Sequence, residues 1–273
     1  MINEVFLLES EVIYSSSNKR ISQLRTLLRY SPVKGESSLV VEGPKLLNEA
    51  VSSGLTVEEI FVTRSKIPHF ESISFCNQFK GIVFPVADKL FNSLTDTVTS
   101  QGILSKVKFP VVKIEPLLKG NPLLLIGHRL QDPGNLGTII RCAEAFGVTG
   151  ILLTNKTVNF QNQKAIRASS GSLFRVPVLS KLDPRILVKR LRKQHIQLVA
   201  ASPKGQRVFR DFNYKGGLAL IVGSESQGIG KDFEKDLDLS LQVPMSGTVN
   251  SLNVAMATAI ILCEASRKRM QTS

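Results

Sequence analysis

The sequence predicts an α/β fold in two parts, a small amino-terminal domain followed by a larger domain built on a mainly parallel sheet. Two observations lead to this fold class. Short apolar strands alternate with helix-like segments along most of the chain, and residues 123–126 (Leu-Leu-Leu-Ile) have the continuous hydrophobicity of a parallel strand buried on both faces. The length of 273 residues is also sufficient for two domains of ordinary size.

The first part begins with a basic amphipathic helix. Residues 18–30 place isoleucine and leucine at helical spacing and leave several cations on the other face. Residues 31–38 are rich in serine and contain one proline and one glycine, which indicates a linker. We therefore predict a helix and linker over residues 1–35 and a small α/β domain over residues 36–107. Its strands are predicted at 39–42, 59–63 and 81–84, with helices at 44–53 and from about Ala87.

The second part follows a junction rich in proline and glycine, predicted as a linker over residues 108–122. Regular β–α alternation after this junction indicates a mainly parallel sheet covered by helices over residues 123–273. Its strands are predicted at 123–126, 148–153, 176–179, 196–200, 218–223 and 239–243.

The charge of the chain indicates a polyanionic partner. Lys and Arg number 35 against 22 Asp and Glu, a formal net charge of +13, which favours nucleic acid. The longest apolar candidate, residues 254–263, is too short to cross a bilayer, so no membrane partner is expected. The first residues lack the basic start of a secretory signal, which favours a cytoplasmic location. Three cysteines and three histidines are scattered without metal-ligand spacing, so no metal is expected.

Three polar loops that contain glycine each lie between a predicted strand and a predicted helix. They are residues 131–141 (Gln-Asp-Pro-Gly-Asn-Leu-Gly-Thr-Ile-Ile-Arg), 223–230 (Gly-Ser-Glu-Ser-Gln-Gly-Ile-Gly) and 244–254 (Pro-Met-Ser-Gly-Thr-Val-Asn-Ser-Leu-Asn-Val). We expect these loops to converge at one sheet edge, where α/β enzymes bind ligands. The spacing Gly134-x-x-Gly137 differs from Gly-x-Gly-x-x-Gly, which disfavours a nicotinamide-dependent oxidoreductase.

Some residues of these loops also have purely structural explanations. Asp132-Pro133-Gly134 is a common turn sequence, and Gly228 and Gly230 can simply shape the turn before a helix predicted at 231–237. Arg141 is harder to explain in this way, because it lies among apolar helix residues and is expected to have a partner or a chemical role. His128, beside the first loop, is either a proton acceptor or a structural residue.

In the third loop, Asn250 or Ser251 is predicted to cap the helix that follows. This assignment places Asn253 inside the first helical turn, where asparagine is a mediocre helix former. A contact with a partner or a substrate therefore explains Asn253 better.

The three loops together resemble the SpoU (TrmH-like) branch of the SPOUT RNA methyltransferases. The residues that carry the resemblance are Asn135 with Arg141, Gly223 with Glu225, and Pro244-Met245-x-Gly247 followed by Ser251-Leu252-Asn253-Val254. Residues 167–171 (Arg-Ala-Ser-Ser-Gly) also look like the family. Residues 39–107, with Val41-Glu42-Gly43 near the start and Gln101-Gly102 near the end, resemble the ribosomal-protein-like substrate-binding domain of some members.

The resemblance implies a carboxy-terminal SPOUT domain with a deep trefoil knot and an obligate homodimer whose sites are completed across the interface. It implies S-adenosyl-L-methionine as the cofactor, wrapped by the second and third loops, and methyl transfer to a ribose 2′-hydroxyl in RNA. Large-subunit rRNA is the favoured substrate. The alternatives are tRNA and a non-catalytic role as an RNA-binding ribosome-assembly protein.

By matching position, the resemblance also implies two sets of site residues. The catalytic set is Arg141, Asn135, Glu225, Ser251 and Asn253. The cofactor-binding set is Val222, Gly223, Val243, Met245, Gly247 and Leu252. Arg141 acts either as the base or as a clamp on the RNA phosphate, and the clamp is preferred because a guanidinium is essentially never deprotonated in proteins. Gly223 and Gly247 are expected to permit close backbone approach.

Overall fold

A computed structural model describes residues 11–29, 38–79, 82–96, 100–224 and 228–271. The chain divides into two compact units, with the main boundary between Val111 and Val112 and with residues 161–163 grouped with the first unit. Within the described ranges, no helix is long and apolar enough to cross a membrane. In the same ranges, no three His, Cys, Asp or Glu side chains are grouped so that they could hold a metal ion.

The first unit contains a four-stranded sheet with helices packed against it. Its strands are β1 (Ser38–Glu42), β2 (Val57–Thr63), β3 (Val83–Val86) and β4 (Ile103–Lys108), in the order β1-β4-β2-β3. β4 runs antiparallel to β1 and β2, whereas β2 and β3 are parallel. The helices are α1 (Lys19–Leu28), α2 (Pro44–Ser52), α3 (Ile67–Ser72) and α4 (Asp88–Asn92).

Helix α1 follows the predicted amphipathic pattern. The side chain of Asn18 caps it by accepting a hydrogen bond from the backbone nitrogen of Arg20 at 2.9 Å, and Ile21, Leu24 and Leu27 are buried. The predicted linker, 31–38, lies outside the described residues except for Ser38. Two elements were not predicted: α3, where a loop was expected, and β4. The central strand β4 lacks a simple alternating pattern because Ser105 is buried inside it.

The second unit contains a seven-stranded sheet in which every neighbouring pair of described strands is parallel. Its strands are β5 (Leu123–His128), β6 (Gly150–Thr154), β7 (Val178–Leu182), β8 (Gln197–Ala201), β9 (Arg207–Val208), β10 (Leu218–Gly223) and β11 (Leu239–Gln242). Their order is β7-β6-β5-β10-β8-β11-β9. The helices are α5 (Ile114–Leu117), α6 (Pro133–Ala145), α7 (Gln163–Ser169), α8 (Pro184–Lys193), α9 (Lys231–Glu234) and α10 (Val254–Met270). The predicted parallel α/β fold is confirmed.

The core of this unit includes part of the predicted linker. Residues 108–122 contain α5, and its Ile114 and Leu117 are buried in the same cluster as Ile126 of β5 and Ile221 of β10. Proline and glycine indicated a junction here, but the short apolar helix gains stability by covering the sheet.

The three polar loops begin at one edge of the sheet. β10 pairs with β5 on one side, with Gly223 opposite His128, and with β8 on the other. β8 also pairs with β11. Because all these pairs are parallel, the strands that precede the three loops end at the same edge, and the predicted convergence is confirmed.

Candidate active site

A cavity of about 220 Å³ lies at this sheet edge, between the ends of β8, β10 and β11 and the start of α10. Most of the residues predicted to bind the cofactor line it: Val222, Gly223, Val243, Met245 and Leu252. Ser251, predicted as catalytic, also lines the cavity. Gly247 does not, and a side chain there would meet nothing within 4 Å.

Gly223 is required by the fold of its own loop. A Cβ atom at this position would lie 2.1 Å from the carbonyl oxygen of Gly228 and 2.6 Å from the backbone nitrogen of Ile229. The loop returns to the strand end because the backbone nitrogen of Gly228 donates to the carbonyl oxygen of Ser224 at 2.8 Å. A direct approach of Gly223 to a ligand stays a prediction.

Asn253 is the residue that caps helix α10. Its side-chain oxygen accepts a hydrogen bond from the backbone nitrogen of Ala255 at 2.9 Å, and the helix begins at Val254. The prediction that Asn250 or Ser251 is the cap, with Asn253 inside the first turn, is therefore wrong. The helix begins later than the apolar run because Leu252 belongs to the cavity wall and Asn253 has an extended ψ of 139°.

A hydrogen bond between side chains joins the first and third loops. Asn253 Nδ2 donates to Asn135 Oδ1 at 3.0 Å. Asn135 lies in the first turn of α6, where its backbone nitrogen donates to Asp132 Oδ2 at 3.0 Å. Asp132 also accepts a hydrogen bond from Lys164 at 2.7 Å, and that contact lowers the pKa of the Asp132 carboxyl. Two predicted catalytic residues therefore meet where α6 and α10 begin.

Arg141 lies apart from this contact and from the cavity. It is exposed on α6, six residues beyond Asn135, which corresponds to about 9 Å along the helix axis. It is not among the residues that line the cavity. Glu225, predicted as catalytic, lies outside the described residues. The chain thus groups Ser251 with the cofactor-binding residues and leaves Arg141 on a separate exposed surface.

His128 is buried at the end of β5, with only 1% of its surface exposed. Its Nδ1 lies 2.8 Å from Thr154 Oγ1, and its ring packs edge-on against Phe233. Burial lowers the pKa of His128, the Arg129 charge lowers it further, and Asp232 opposes both effects. A buried, neutral ring in these contacts favours the structural role over the proton acceptor.

Comparison with known families identifies the domain that carries this site. Residues 122–263 match the model of the SpoU rRNA Methylase family, and residues 18–105 match the MRM3-like substrate binding domain. The chain belongs to the SpoU rRNA methylase family.

Relatives of the SpoU chain support this assignment over its whole length. The 23S rRNA (guanosine(2553)-2′-O)-methyltransferase RlmP of Bacillus subtilis (strain 168) is 30% identical over 252 residues, 92% of this chain and 97% of that protein. An AdoMet-bound rRNA methyltransferase from Sinorhizobium meliloti is 25% identical with a TM-score of 0.78, covering 94% of this chain and 98% of its own. The SpoU methyltransferase AviRb of Streptomyces viridochromogenes, 24% identical, shares the fold with a TM-score of 0.81 over 93% of this chain and 98% of its own.

The SpoU site also includes residues that were not predicted. Ala201, the last residue of β8, and Ser202 and Pro203 after it form one side of the cavity. A Cβ atom at Gly205 would lie 2.4 Å from the carbonyl carbon of Leu241, so this segment packs directly on the backbone of β11. The sequence feature that could have revealed this segment is Ser202-Pro203, which follows the strand predicted at 196–200. The pair lies at the sheet edge where the other loops begin. The other unpredicted residues of the wall are Ser224, Gly228, Leu241, Val254, Ala257 and Ile261.

Proposed function

We propose that this chain transfers the methyl group of S-adenosyl-L-methionine to a ribose 2′-hydroxyl of large-subunit rRNA. The observation that carries the proposal is the cavity at the sheet edge, because five of the six residues predicted to bind the cofactor line it. The relative from B. subtilis is named as a 23S rRNA 2′-O-methyltransferase, and the S. meliloti relative was solved with AdoMet bound. The net charge of +13 suits an RNA substrate.

The residues of the cavity fit this cofactor. Val222, Val243 and Leu252 offer apolar surface to an adenine ring, and Leu241 and Ile261 extend that surface. Strand β10 ends at the cavity, as does β11, so backbone groups at these strand ends lie where they can reach the polar groups of the ligand. When bound, the cofactor supplies an electrophilic methyl group on a sulfonium.

The protein must align the ribose hydroxyl with that methyl group and assist removal of the hydroxyl proton. We assign Arg141 to the RNA phosphate next to the target ribose, where a bidentate contact orients the hydroxyl and favours its ionisation. We prefer this phosphate clamp to the role of base, since a guanidinium is essentially never deprotonated in proteins. Asn135 and Asn253 fix the beginnings of α6 and α10 relative to each other, Ser251 faces the cofactor, and Glu225 anchors either Arg141 or the loop after β10.

We propose that the active protein is a homodimer and that each site takes residues from both copies. Residues 254–263 of helix α10 are apolar on all sides apart from Thr258, and helical segments of this kind are normally buried. Yet Met256 on α10 is 62% exposed and Val249 just before it is 60% exposed. A second copy packed on this face would bury both residues. Arg141 does not line the cavity of its own chain, which agrees with a site completed across such an interface.

The deep trefoil knot and the cytoplasmic location belong to the same proposal. β10 is inserted between β5 and β8, and residues on both sides of the loops after β10 and β11 line one cavity. This arrangement supports threading of the chain end through an earlier loop, as in SPOUT domains. A cytoplasmic location gives the enzyme access to rRNA of the bacterial type.

The test is methyl transfer from labelled S-adenosyl-L-methionine to total rRNA and, separately, to total tRNA. We expect label in large-subunit rRNA, recovered as an alkali-resistant 2′-O-methyl nucleotide. Label in tRNA alone would assign the enzyme to the tRNA alternative. Donor binding without label in either pool would favour the non-catalytic ribosome-assembly role.

A further inference from the structure

Among the described residues of the amino-terminal unit, one aromatic ring is exposed. Tyr14 is 65% exposed, whereas every other aromatic side chain in the described residues is buried or half-buried. An exposed aromatic ring lowers solubility and adds little to the hydrophobic core. A ligand that packs against the face of the ring would explain the exposed position of Tyr14.

The backbone next to Tyr14 is fixed to the sheet. The backbone nitrogen of Ile13 donates to the carbonyl oxygen of Pro85 at 2.8 Å, and the backbone nitrogen of Ala87 donates to the carbonyl oxygen of Ile13 at 3.0 Å. Ile13 thereby forms a parallel bridge with Val86, beside β3. Tyr14 therefore leaves the sheet edge from a defined position and loses little freedom on binding a ligand.

A cation is held against the Tyr14 hydroxyl. Arg64 Nη1 donates to the Tyr14 hydroxyl oxygen at 3.1 Å. Arg64 begins a single 3₁₀ turn after β2, and Asp88 holds this turn by accepting from Thr63 Oγ1 at 2.6 Å and from the backbone nitrogen of Ser65 at 3.1 Å. The ring and the guanidinium are thus both placed before any ligand arrives.

More positive charge lies at the same end of the sheet. The backbone nitrogen of Thr63, at the end of β2, donates a hydrogen bond to the carbonyl oxygen of Gly102. The Lys66 side chain packs against Gly102, where an added Cβ atom would lie 3.0 Å from Lys66 Cδ. Arg64 and Lys66 therefore extend from one short turn, and Lys89 follows Asp88 on α4. The carboxylate of Asp88 already accepts hydrogen bonds from this turn. Positive charges therefore outnumber negative charges among these neighbouring residues.

We propose that Tyr14 stacks on an unpaired base of the RNA substrate while Arg64 binds the adjacent phosphate. Unpaired nucleotides in loops and bulges expose base faces to aromatic side chains, whereas bases inside an A-form duplex do not. The combination of a ring with neighbouring cations matches single-stranded RNA, because the ring takes the base and the cations take the backbone. This site rests on the proposed function, because the RNA that Tyr14 contacts is the RNA that accepts the methyl group.

The first experiment measures the affinity of the full chain for a transcript of large-subunit rRNA. Tyr14→Ala is expected to weaken binding roughly 5- to 100-fold, the range for loss of one stacked base. Tyr14→Phe is expected to retain most of the affinity because the ring remains. Val111→Ala, a change at a residue that is 82% exposed in the same unit, is the matched control and should leave binding unchanged. Equal affinity for wild type and Tyr14→Ala would overturn the proposal.

A second measurement reports the stacking itself. The chain contains no tryptophan and three tyrosines, so tyrosine emission can be followed directly. Adding a short single-stranded oligoadenylate should quench the emission, and Tyr14→Phe should abolish most of this quenching. Quenching that persists in Tyr14→Phe, or that a fully paired RNA duplex produces equally, would contradict stacking on Tyr14.

Methyl-transfer kinetics separate this proposal from the proposed function. If the enzyme is active on rRNA, Tyr14→Ala should raise KM for RNA while kcat and donor affinity stay close to wild type. If the wild-type chain transfers no methyl group but Tyr14→Ala still weakens RNA binding, the catalytic proposal fails and the stacking site stands. Unchanged KM together with unchanged affinity would reject the site even in an active enzyme.

Discussion

Asn253 Nδ2 donates a hydrogen bond to Asn135 Oδ1 across 3.0 Å, and this bond joins two loops that are 118 residues apart in the chain. The oxygen of the same Asn253 side chain caps α10. One amide therefore serves two partners, and it fixes the first turns of α6 and α10 relative to each other. The residues that line the cavity on either side of Asn253, Leu252 and Val254, depend on this arrangement.

Two replacements of Asn253 should distinguish its capping of α10 from its hydrogen bond to Asn135. Asn253→Ala removes both contacts, and the free energy of unfolding is expected to fall by about 1–2 kcal/mol, the usual cost of losing a cap together with a hydrogen bond. Asn253→Ser keeps a capping oxygen but cannot reach Asn135 as an amide does, so stability should stay near wild type. Urea unfolding of both variants measures the difference.

We expect turnover to depend on the hydrogen bond between Asn253 and Asn135 and not on the capping of α10. We expect both Asn253→Ala and Asn253→Ser to lose methyl transfer, because α6 and α10 are no longer held together. Wild-type turnover in Asn253→Ser would show that capping is the whole role of this residue.

Arg141 is expected to act on the RNA and not on the cofactor. Because it is exposed and lies outside the cavity, Arg141→Ala should leave donor affinity unchanged while turnover falls roughly 100-fold, as when a preorganised charge-stabilising donor is removed. Arg141→Lys keeps the charge but loses the bidentate geometry, so it should recover little of the activity. Calorimetric titration with the donor provides the control, and a parallel loss of donor affinity would argue against the phosphate clamp.

Gly223 and Gly247 should respond differently to alanine. Gly223→Ala forces a Cβ atom against the Gly228 carbonyl, so the loop must move, at a cost of about 1–3 kcal/mol, and donor binding should weaken. Gly247→Ala meets nothing within 4 Å and should leave the free energy of unfolding unchanged. Loss of donor affinity in Gly247→Ala without loss of stability would therefore support the predicted approach of Gly247 to the cofactor. Unaltered affinity would remove it from the cofactor-binding set.

The proposed dimer depends on the exposed face of α10. Met256→Asp places a charge in the apolar face and should convert the protein into a folded monomer without methyl transfer, as seen by analytical ultracentrifugation and circular dichroism. Ile186→Asp is the matched control, since Ile186 is 58% exposed on α8, close to the 62% of Met256. A dimer that survives Met256→Asp with full activity would place the interface elsewhere.

His128 should make stability depend on pH in the mildly acidic range. Its pKa is lowered from the ordinary 6.5 mainly by burial, so the unfolded chain binds the proton before the folded chain does. The free energy of unfolding should therefore fall as the pH drops through about 6.5. His128→Gln should flatten this slope. An identical slope in the wild type and in His128→Gln would contradict the assignment.

Much of the fold followed from local signals in the sequence. The strand predicted at 218–223 coincides with β10, and the helix predicted at 18–30 contains α1, because the burial pattern of a strand or helix acts over a few residues. β4 was missed because it is a central strand, where the buried Ser105 is tolerated through strand pairing with residues far along the chain. The start of α10 was misplaced because several residues that can cap a helix stand in sequence, and the choice of Asn253 depends on Asn135 and on the cavity wall.

The sequence by itself determined the α/β class, the convergence of three loops at one sheet edge and the residues that characterise a SpoU methylase. These features rest on short-range periodicity and on the geometry that all parallel sheets share. Only the tertiary structure decided that Asn253 bonds to Asn135, that the segment after β8 completes the cavity and that Arg141 lies outside it. Those facts depend on which distant segments pack together, and the position of Tyr14 beside Arg64 arises in the same way from a bridge between Ile13 and Val86.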